Sequence, residues 1–286
     1  MGKSELVSLL LGDAVGRATA MTWVPLEAAH ALAGGPSAES GPETLALVAQ
    51  AFDVDLAFVP ASEPWGTDAV KALKSAGIAA GWIVEGVVSR VALERGWFPT
   101  IAESARSPQN LAVALRDAMR SCLFDVRRGH LAEADVLLCG DDLAGSAGWL
   151  LAPDFVLETL MPCYCAIAKV WGKGRPAVFH SDGDIRVVYS ALAAAGFSAV
   201  HIAGGQRVSL RKAFTAACSA GLVPMGGVEI RNLAVSDVQQ AGYQAESLAD
   251  LTDFESAVIA DDGAITTAEE LALFGSAIES VRRGSL

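Results

Sequence analysis

Eight short apolar runs, each closed by a polar or glycine-containing loop and followed by a stretch of helical periodicity, constrain this chain more than any other feature. The runs are Thr22–Pro25, Leu56–Val59, Ile78–Val84, Val136–Cys139, Ala177–Phe179, Ala199–Ile202, Val223–Met225 and Ala257–Ala260. Near-continuous apolar runs, rather than alternating ones, belong to strands covered on both faces, and therefore to parallel sheets. Alternation with helices implies the same. Eight such units within 286 residues fit a closed (β/α)8 (TIM) barrel, an α/β fold with one domain over residues 1–286. A doubly wound sheet is the competing arrangement, but no glycine-rich dinucleotide fingerprint follows the first run.

Local signals fill in the helices. Leu6–Leu11 reads as an N-terminal helix stopped near Gly12, and Glu43–Ala51 as another. Thr67 is placed to cap a helix running to Ser75. Pro153 opens a helix that continues to Trp171. Thr266–Glu270 carries a capping-box start for a last helix that ends near Gly284.

Composition narrows the function classes. Hydrophobic residues make up 52% of the chain and the mean hydropathy is +0.38. Yet charges interrupt every apolar run before the roughly 20 residues a spanning helix requires, as Glu85 and Arg90 do in Ile78–Val91. No membrane partner is expected. A net charge of −12 argues against a basic patch, and so against nucleic acid. The Leu-rich N-terminus is short and lacks a small-residue cleavage site, so it reads as a helix rather than a signal peptide. Five cysteines (Cys122, Cys139, Cys163, Cys165 and Cys218) form no paired framework, which points to reduced thiols in the cytoplasm. Ala-rich helices such as the one ending at Leu192–Ala195 permit a homo-oligomer without specifying one.

A (β/α)8 barrel carries its chemistry in the loops after its strands. Phe179-His180-Ser181-Asp182-Gly183-Asp184 leaves the fifth run, and Gly140-Asp141-Asp142-Leu143 leaves the fourth. Glu63, Glu85, Glu229, Arg231, Asp261 and Asp262 follow other runs. The set is rich in carboxylates, with one histidine among them. It suits a divalent metal or acid–base work on a small substrate. Phosphate binding would want backbone nests or cationic side chains instead. Each residue also has a plain structural reading. His180 can bond a neighbouring backbone group, and Asp182 or Asp184 can cap the helix that begins at Ile185, Asp184 the more readily. Asp141 and Asp142 can form a turn beside Gly140, with one of the two facing the pocket. Asp261-Asp262-Gly263 is a common turn composition, and His201, inside an apolar strand, reads as a barrel-lining residue.

Several of these segments, in this order and spacing across residues 134–205, carry a resemblance. Ala134-Asp135-Val136-Leu137-Leu138-Cys139-Gly140-Asp141-Asp142, Leu151-Ala152-Pro153-Asp154-Phe155, Met161-Pro162-Cys163-Tyr164 and Phe179-His180-Ser181-Asp182-Gly183-Asp184-Ile185 together resemble the uroporphyrinogen decarboxylase superfamily. That superfamily comprises haem-pathway decarboxylases and cobalamin-dependent methyltransferases, all on a (β/α)8 barrel. The decarboxylases carry an arginine-rich N-terminal segment that has no counterpart around Thr22–Leu32, and their late Gly-His-Gly is Asp261-Asp262-Gly263 here. The thiol methyltransferases hold zinc through a His-x-Cys pair and a later cysteine. This chain keeps His180 but has Asp182 at the first cysteine position.

The resemblance thus implies an enzyme nearer the methyltransferase branch, acting on a small methylated substrate or methyl acceptor. It implies a corrinoid carried by a partner protein. Zinc or another divalent metal would be held by His180 and Asp182, which alternatively act as an acid–base pair with Asp142. Asp141, Glu229, Glu63 and Asp262 would contact substrate. The alternatives are a decarboxylase or lyase acting on a small carboxylated substrate, and a non-catalytic ligand-binding barrel.

Overall fold

The computed structural model describes residues 1–32, 42–204, 208–233, 251 and 253–283. Eight strands form a closed parallel barrel in which each pairs with its chain neighbours. They are β1 (Gly16–Met21), β2 (Leu56–Pro60), β3 (Ala79–Glu85), β4 (Val136–Gly140), β5 (Ala177–Ser181), β6 (Ala199–Ile202), β7 (Val223–Val228) and β8 (Ser256–Asp261). The last closes onto the first, with Ala18 opposite Val258, and β1 meets β2 with Ala20 opposite Leu56. The α/β barrel expected from the strand–helix alternation is the fold.

Alternate residues of each strand point into the lumen, where Ala20, Phe58, Ile83, Leu138, Val178 and Met225 pack together. Leu6, Leu9 and Leu10 of the helix Lys3–Leu10 join this cluster from the side of the strand starts. Gly81 makes room for the Phe58 ring, since a Cβ there would lie 2.1 Å from it. A second, larger core fills the space between the sheet's outer face and the helices. Because side chains alternate, the next inward position on β4 is Gly140, on β5 His180 and on β6 His201. The aliphatic filling therefore stops one layer short of the C-terminal mouth. Polar groups occupy that last layer.

Four local expectations need correction. The first strand is Gly16–Met21, not Thr22–Pro25, which lies outside regular structure apart from its tie to β8 described below. Its sequence, Gly-Arg-Ala-Thr-Ala-Met, has small inward residues and none of the bulky apolar character that marks the other strands. The helix after β2 starts at Gly66 with Trp65 at its N-cap, so Thr67 is already inside it. Pro153–Trp171 is broken by a wider π-helical turn at Val156–Leu160 before the helix Met161–Trp171. Pro162 has no N–H to donate back to that turn. After β5 the chain makes a 3-10 turn, Arg186–Val188, before the helix Tyr189–Ala195. The capping box is present: the Glu270 N–H donates to Thr267 Oγ1 and the Thr267 N–H to Glu270 Oε2. The expected stop near Gly284 lies outside the described residues. Among the described residues, no helix is long and apolar enough to cross a membrane.

Candidate functional site

The loops leaving β4 and β5 are stitched together by their backbones. The Asp141 N–H donates to the His180 carbonyl at 3.0 Å, and the Leu143 N–H to Ser181 Oγ at 2.9 Å. Gly183 has φ +71°, and a Cβ there would meet the backbone of Gly145 at 2.6 Å. Only glycine lets the two loops lie this close.

Asp141, expected to contact substrate, sits outside the mouth. Its carboxylate has no exposed surface. It accepts from the Ser89 N–H at 2.7 Å, the Val88 N–H at 3.1 Å and the Tyr164 hydroxyl at 2.8 Å. Val88 and Ser89 are in the first turn of the helix Val87–Arg95, whose N–H groups have no partner within the helix. Asp141 is therefore that helix's cap, supplied from the neighbouring strand. Gly86 permits the approach, since a Cβ there would lie 2.3 Å from Asp141 Cγ. Burial pushes the Asp141 pKa up, and the hydrogen bonds from Ser89, Tyr164 and Val88 oppose it. A side chain so enclosed has no face left for a substrate.

Asp142 turns the other way. Its Oδ1 accepts from the Asp182 N–H at 3.1 Å and stands 3.8 Å from His180 Nε2. Asp142, His180 and Asp182 each present one ligand atom, and the three lie within 4.8 Å of one another. Burial raises the Asp142 pKa, and the Asp182 amide pulls it back. Burial lowers His180 to about 4, so its ring is neutral at physiological pH. These are the three residues the sequence put forward as catalytic, brought to one place.

Behind His180 lies a chain that the sequence did not reveal as a unit. His180 Nδ1 is 2.8 Å from His201 Nδ1, and His201 Nε2 is 2.7 Å from the Asp261 carbonyl oxygen. His201 is 1% exposed, and burial, with the His180 ring beside it, lowers its pKa to about 3. Asp261 is fixed in turn. Its carboxylate accepts from the Thr22 N–H at 2.7 Å, from the Thr22 hydroxyl and from the Gly263 N–H at 3.0 Å. His201 does line the barrel, as its place in an apolar strand suggested, but as a bonded partner of the mouth histidine. The register of the two strands, Val178 opposite Ala199, is what sets His180 opposite His201, and the sequence does not state that register.

The remaining candidates are spread around the rim. Glu85, at the end of β3, has its carboxyl raised to about 7. Burial is the main cause, Asp141 and Asp142 add to it, and Arg90 opposes. Asp184 is occupied by Arg186, whose Nε and Nη2 each reach it at 2.8 Å, and it also caps the 3-10 turn through the Arg186 N–H. Asp262 accepts from the Ala264 N–H at 3.2 Å in a turn, and Glu229 follows β7 half-buried. Glu63 lies half-buried in the turns after β2. The Arg231 side chain lies outside the described residues.

No protein-family model matches this chain, and no curated protein matches it significantly in sequence. Solved structures do. A methyltransferase from Methanosarcina mazei is similar over 98% of both chains at 16% identity, with a TM-score of 0.70. A putative lyase/mutase from Burkholderia cenocepacia aligns over 99% of this chain and 88% of its own at 13% identity, TM-score 0.52. A truncated 3-deoxy-D-arabino-heptulosonate 7-phosphate synthase from Thermotoga maritima aligns over 94% and 87% at 10% identity, TM-score 0.51. At such identities the likeness establishes the barrel and nothing finer.

Proposed function

We propose that this chain is a metal-dependent methyltransferase centred on Asp142, His180 and Asp182, exchanging a methyl group between a small substrate and a corrinoid held by a partner protein. The observation that carries the reading is the convergence of those three ligand atoms within 4.8 Å at the C-terminal end of β4 and β5. The superfamily resemblance of residues 134–205 supports it, as does the fold shared with the methanogen methyltransferase.

The donors suit a divalent cation. The 3.8 Å between His180 Nε2 and Asp142 Oδ1 exceeds a hydrogen bond. One ion can span it, because zinc sits about 2.0–2.2 Å from nitrogen and oxygen ligands. Two carboxylates and one imidazole also admit harder metals, such as manganese or iron. When bound, such an ion supplies Lewis acidity to a substrate heteroatom, lowering its pKa. The chain's own residues do the rest. Asp142 and Asp182 bring two negative charges that a dication neutralises, and the Asp182 amide holds Asp142 in place. Glu85, whose carboxyl is raised to about 7 by burial and by Asp141 and Asp142, can hold or release a proton in this region. Asp262, Glu229 and Glu63 would orient the substrate from neighbouring loops.

Elemental mass spectrometry of the purified protein beside His180→Ala tests the centre. About one equivalent of a divalent metal in the wild type, lost in the variant, is the expected result. Absorbance assays with methylcobalamin and small thiols or other acceptors then test methyl transfer. Failure to retain zinc, manganese or iron after reconstitution would remove the reading.

A further inference from the structure

We infer that His201 is a positioning residue that fixes His180 as its Nδ1–H tautomer, so that the bare Nε2 faces Asp142 and Asp182. Which ring nitrogens carry protons follows from the partners. His201 Nε2 lies 2.7 Å from a carbonyl oxygen, that of Asp261, which can only accept. That nitrogen must donate. The His201 ring is enclosed in the barrel with 1% exposure, and among the described residues no carboxylate hydrogen-bonds to it, so a second proton would bury an unpaired cation. A neutral His201 with its proton on Nε2 leaves Nδ1 as an acceptor. His180 Nδ1, 2.8 Å away, then has to be the donor.

A neutral His180 with its proton on Nδ1 has an unprotonated Nε2. The 3.8 Å gap to Asp142 Oδ1 agrees, since a proton on Nε2 would draw the carboxylate into a hydrogen bond. The Asp261 carbonyl that begins this relay is itself held, because the Asp261 carboxylate is tied to Thr22 and Gly263. Thr22, Asp261, His201 and His180 thus form one oriented chain across the last layer of the lumen, linking the ends of β1, β8, β6 and β5. Orientation of a ligating histidine through its second nitrogen tunes both tautomer and basicity. The use of this relay rests on the metal-centre reading, but its existence does not.

The test is a long-range 1H–15N correlation spectrum of the full chain labelled with 15N-histidine, metal-free, at about pH 7.5. The chain has four histidines, so single substitutions assign every ring. The expected pattern is His180 protonated at Nδ1 and His201 protonated at Nε2. His201→Phe, which removes the acceptor, is expected to move the His180 proton to Nε2, whereas His201→Gln, which keeps an acceptor oxygen, preserves the original tautomer. Zinc affinity of His201→Phe is expected to fall by about 10–100-fold, with His201→Gln close to wild type. A wild-type His180 protonated at Nε2, or a tautomer unmoved by His201→Phe, overturns the inference. Should His201→Phe fail to fold, the wild-type spectrum alone decides. The Nδ1–H tautomer without zinc binding would overturn the metal centre and leave the relay standing. Zinc binding with the opposite tautomer would do the reverse.

Discussion

Asp141 and Asp142 are adjacent, chemically identical and assigned opposite tasks by their surroundings. Asp141 follows Gly140, whose place belongs to the lumen, so it turns outward into the helices. There it meets two backbone amides and a tyrosine hydroxyl and vanishes from solvent. Asp142 keeps about a third of its side chain exposed and looks across to His180 and Asp182. The barrel repeats the device at its other seam. Asp261 is buried against Thr22 and Gly263, and Asp262 stays half-buried in the turn beyond. In each pair the first acid is buried and joins two neighbouring strand ends, and the second stays partly exposed just beyond it. Burial and exposure are thereby separated by one residue.

The sharpest way to break this comparison is to remove the buried member. Asp141→Ala is expected to cost about 3–5 kcal/mol, because two helix N-terminal amides and the Tyr164 hydroxyl lose their acceptor in a site that water does not enter. Urea unfolding would measure it. Asp261→Ala should follow at about 2–4 kcal/mol, since its three hydrogen bonds come from only two residues, Thr22 and Gly263, both outside regular structure. A loss below about 1 kcal/mol for Asp141→Ala would mean that the helix start finds other partners, and the division of labour would fail.

How much of this was legible in the chain differs between fold and site. Seven of the eight strands announce themselves because burial on both faces demands apolar runs. The eighth, Gly16–Met21, escapes because its inward side chains are small, and a small residue in a lumen leaves no periodic mark. Asp142, His180 and Asp182 were legible as a group because the loops after β4 and β5 are neighbours in any such barrel. The partition between Asp141 and Asp142 was not. It depends on which acid reaches Ser89 and Val88, more than 50 residues away. Turn composition is the same for both. The His201 relay was hidden for a similar reason: a histidine in an apolar strand says nothing of what its second nitrogen meets.

Gly86→Ala probes the same cap from the other side. With its Cβ placed 2.3 Å from Asp141 Cγ, the carboxylate or the strand end must move. The expected cost is about 1–3 kcal/mol, as for other forced overpacking. Combined with Asp141→Ala, the two losses should fall short of their sum, because the carboxylate's part of the clash disappears while the Asp141 Cβ, 2.4 Å away, remains. Full additivity would show that Gly86 serves some other need.

Glu85 offers a comparison by pH. Its carboxyl is raised from about 4.5 to about 7, so between those values the folded chain holds a proton that the unfolded chain has released. Stability from this group is then full below about pH 4.5 and is lost as pH rises through 7. Glu85→Gln removes that slope. Relative to wild type, the variant should gain about 1–2 kcal/mol between pH 5 and pH 8, allowing for the part of the side chain that water reaches. Unfolding curves at several pH values would show parallel profiles if Glu85 titrated normally.

The smallest expected change in stability is the most informative about function. Asp142→Asn keeps the shape and retains an oxygen for the Asp182 amide, while removing one charge from a mouth crowded with acids. Its stability is expected within about 0.5 kcal/mol of wild type, the usual range for a substitution free of buried partners. Metal retention should instead drop sharply, because an amide oxygen brings no charge to a dication. The contrast with Asp141→Ala is what counts: one substitution should unfold the protein and the other should disarm it. If Asp142→Asn retained metal as wild type does, His180 and Asp182 alone would hold the ion, and Asp142 would be left to fix the backbone of the β5 loop. If instead it destabilised the chain as much as Asp141→Ala, the two adjacent acids would form one structural unit, and the mouth would lose the carboxylate that sets its charge.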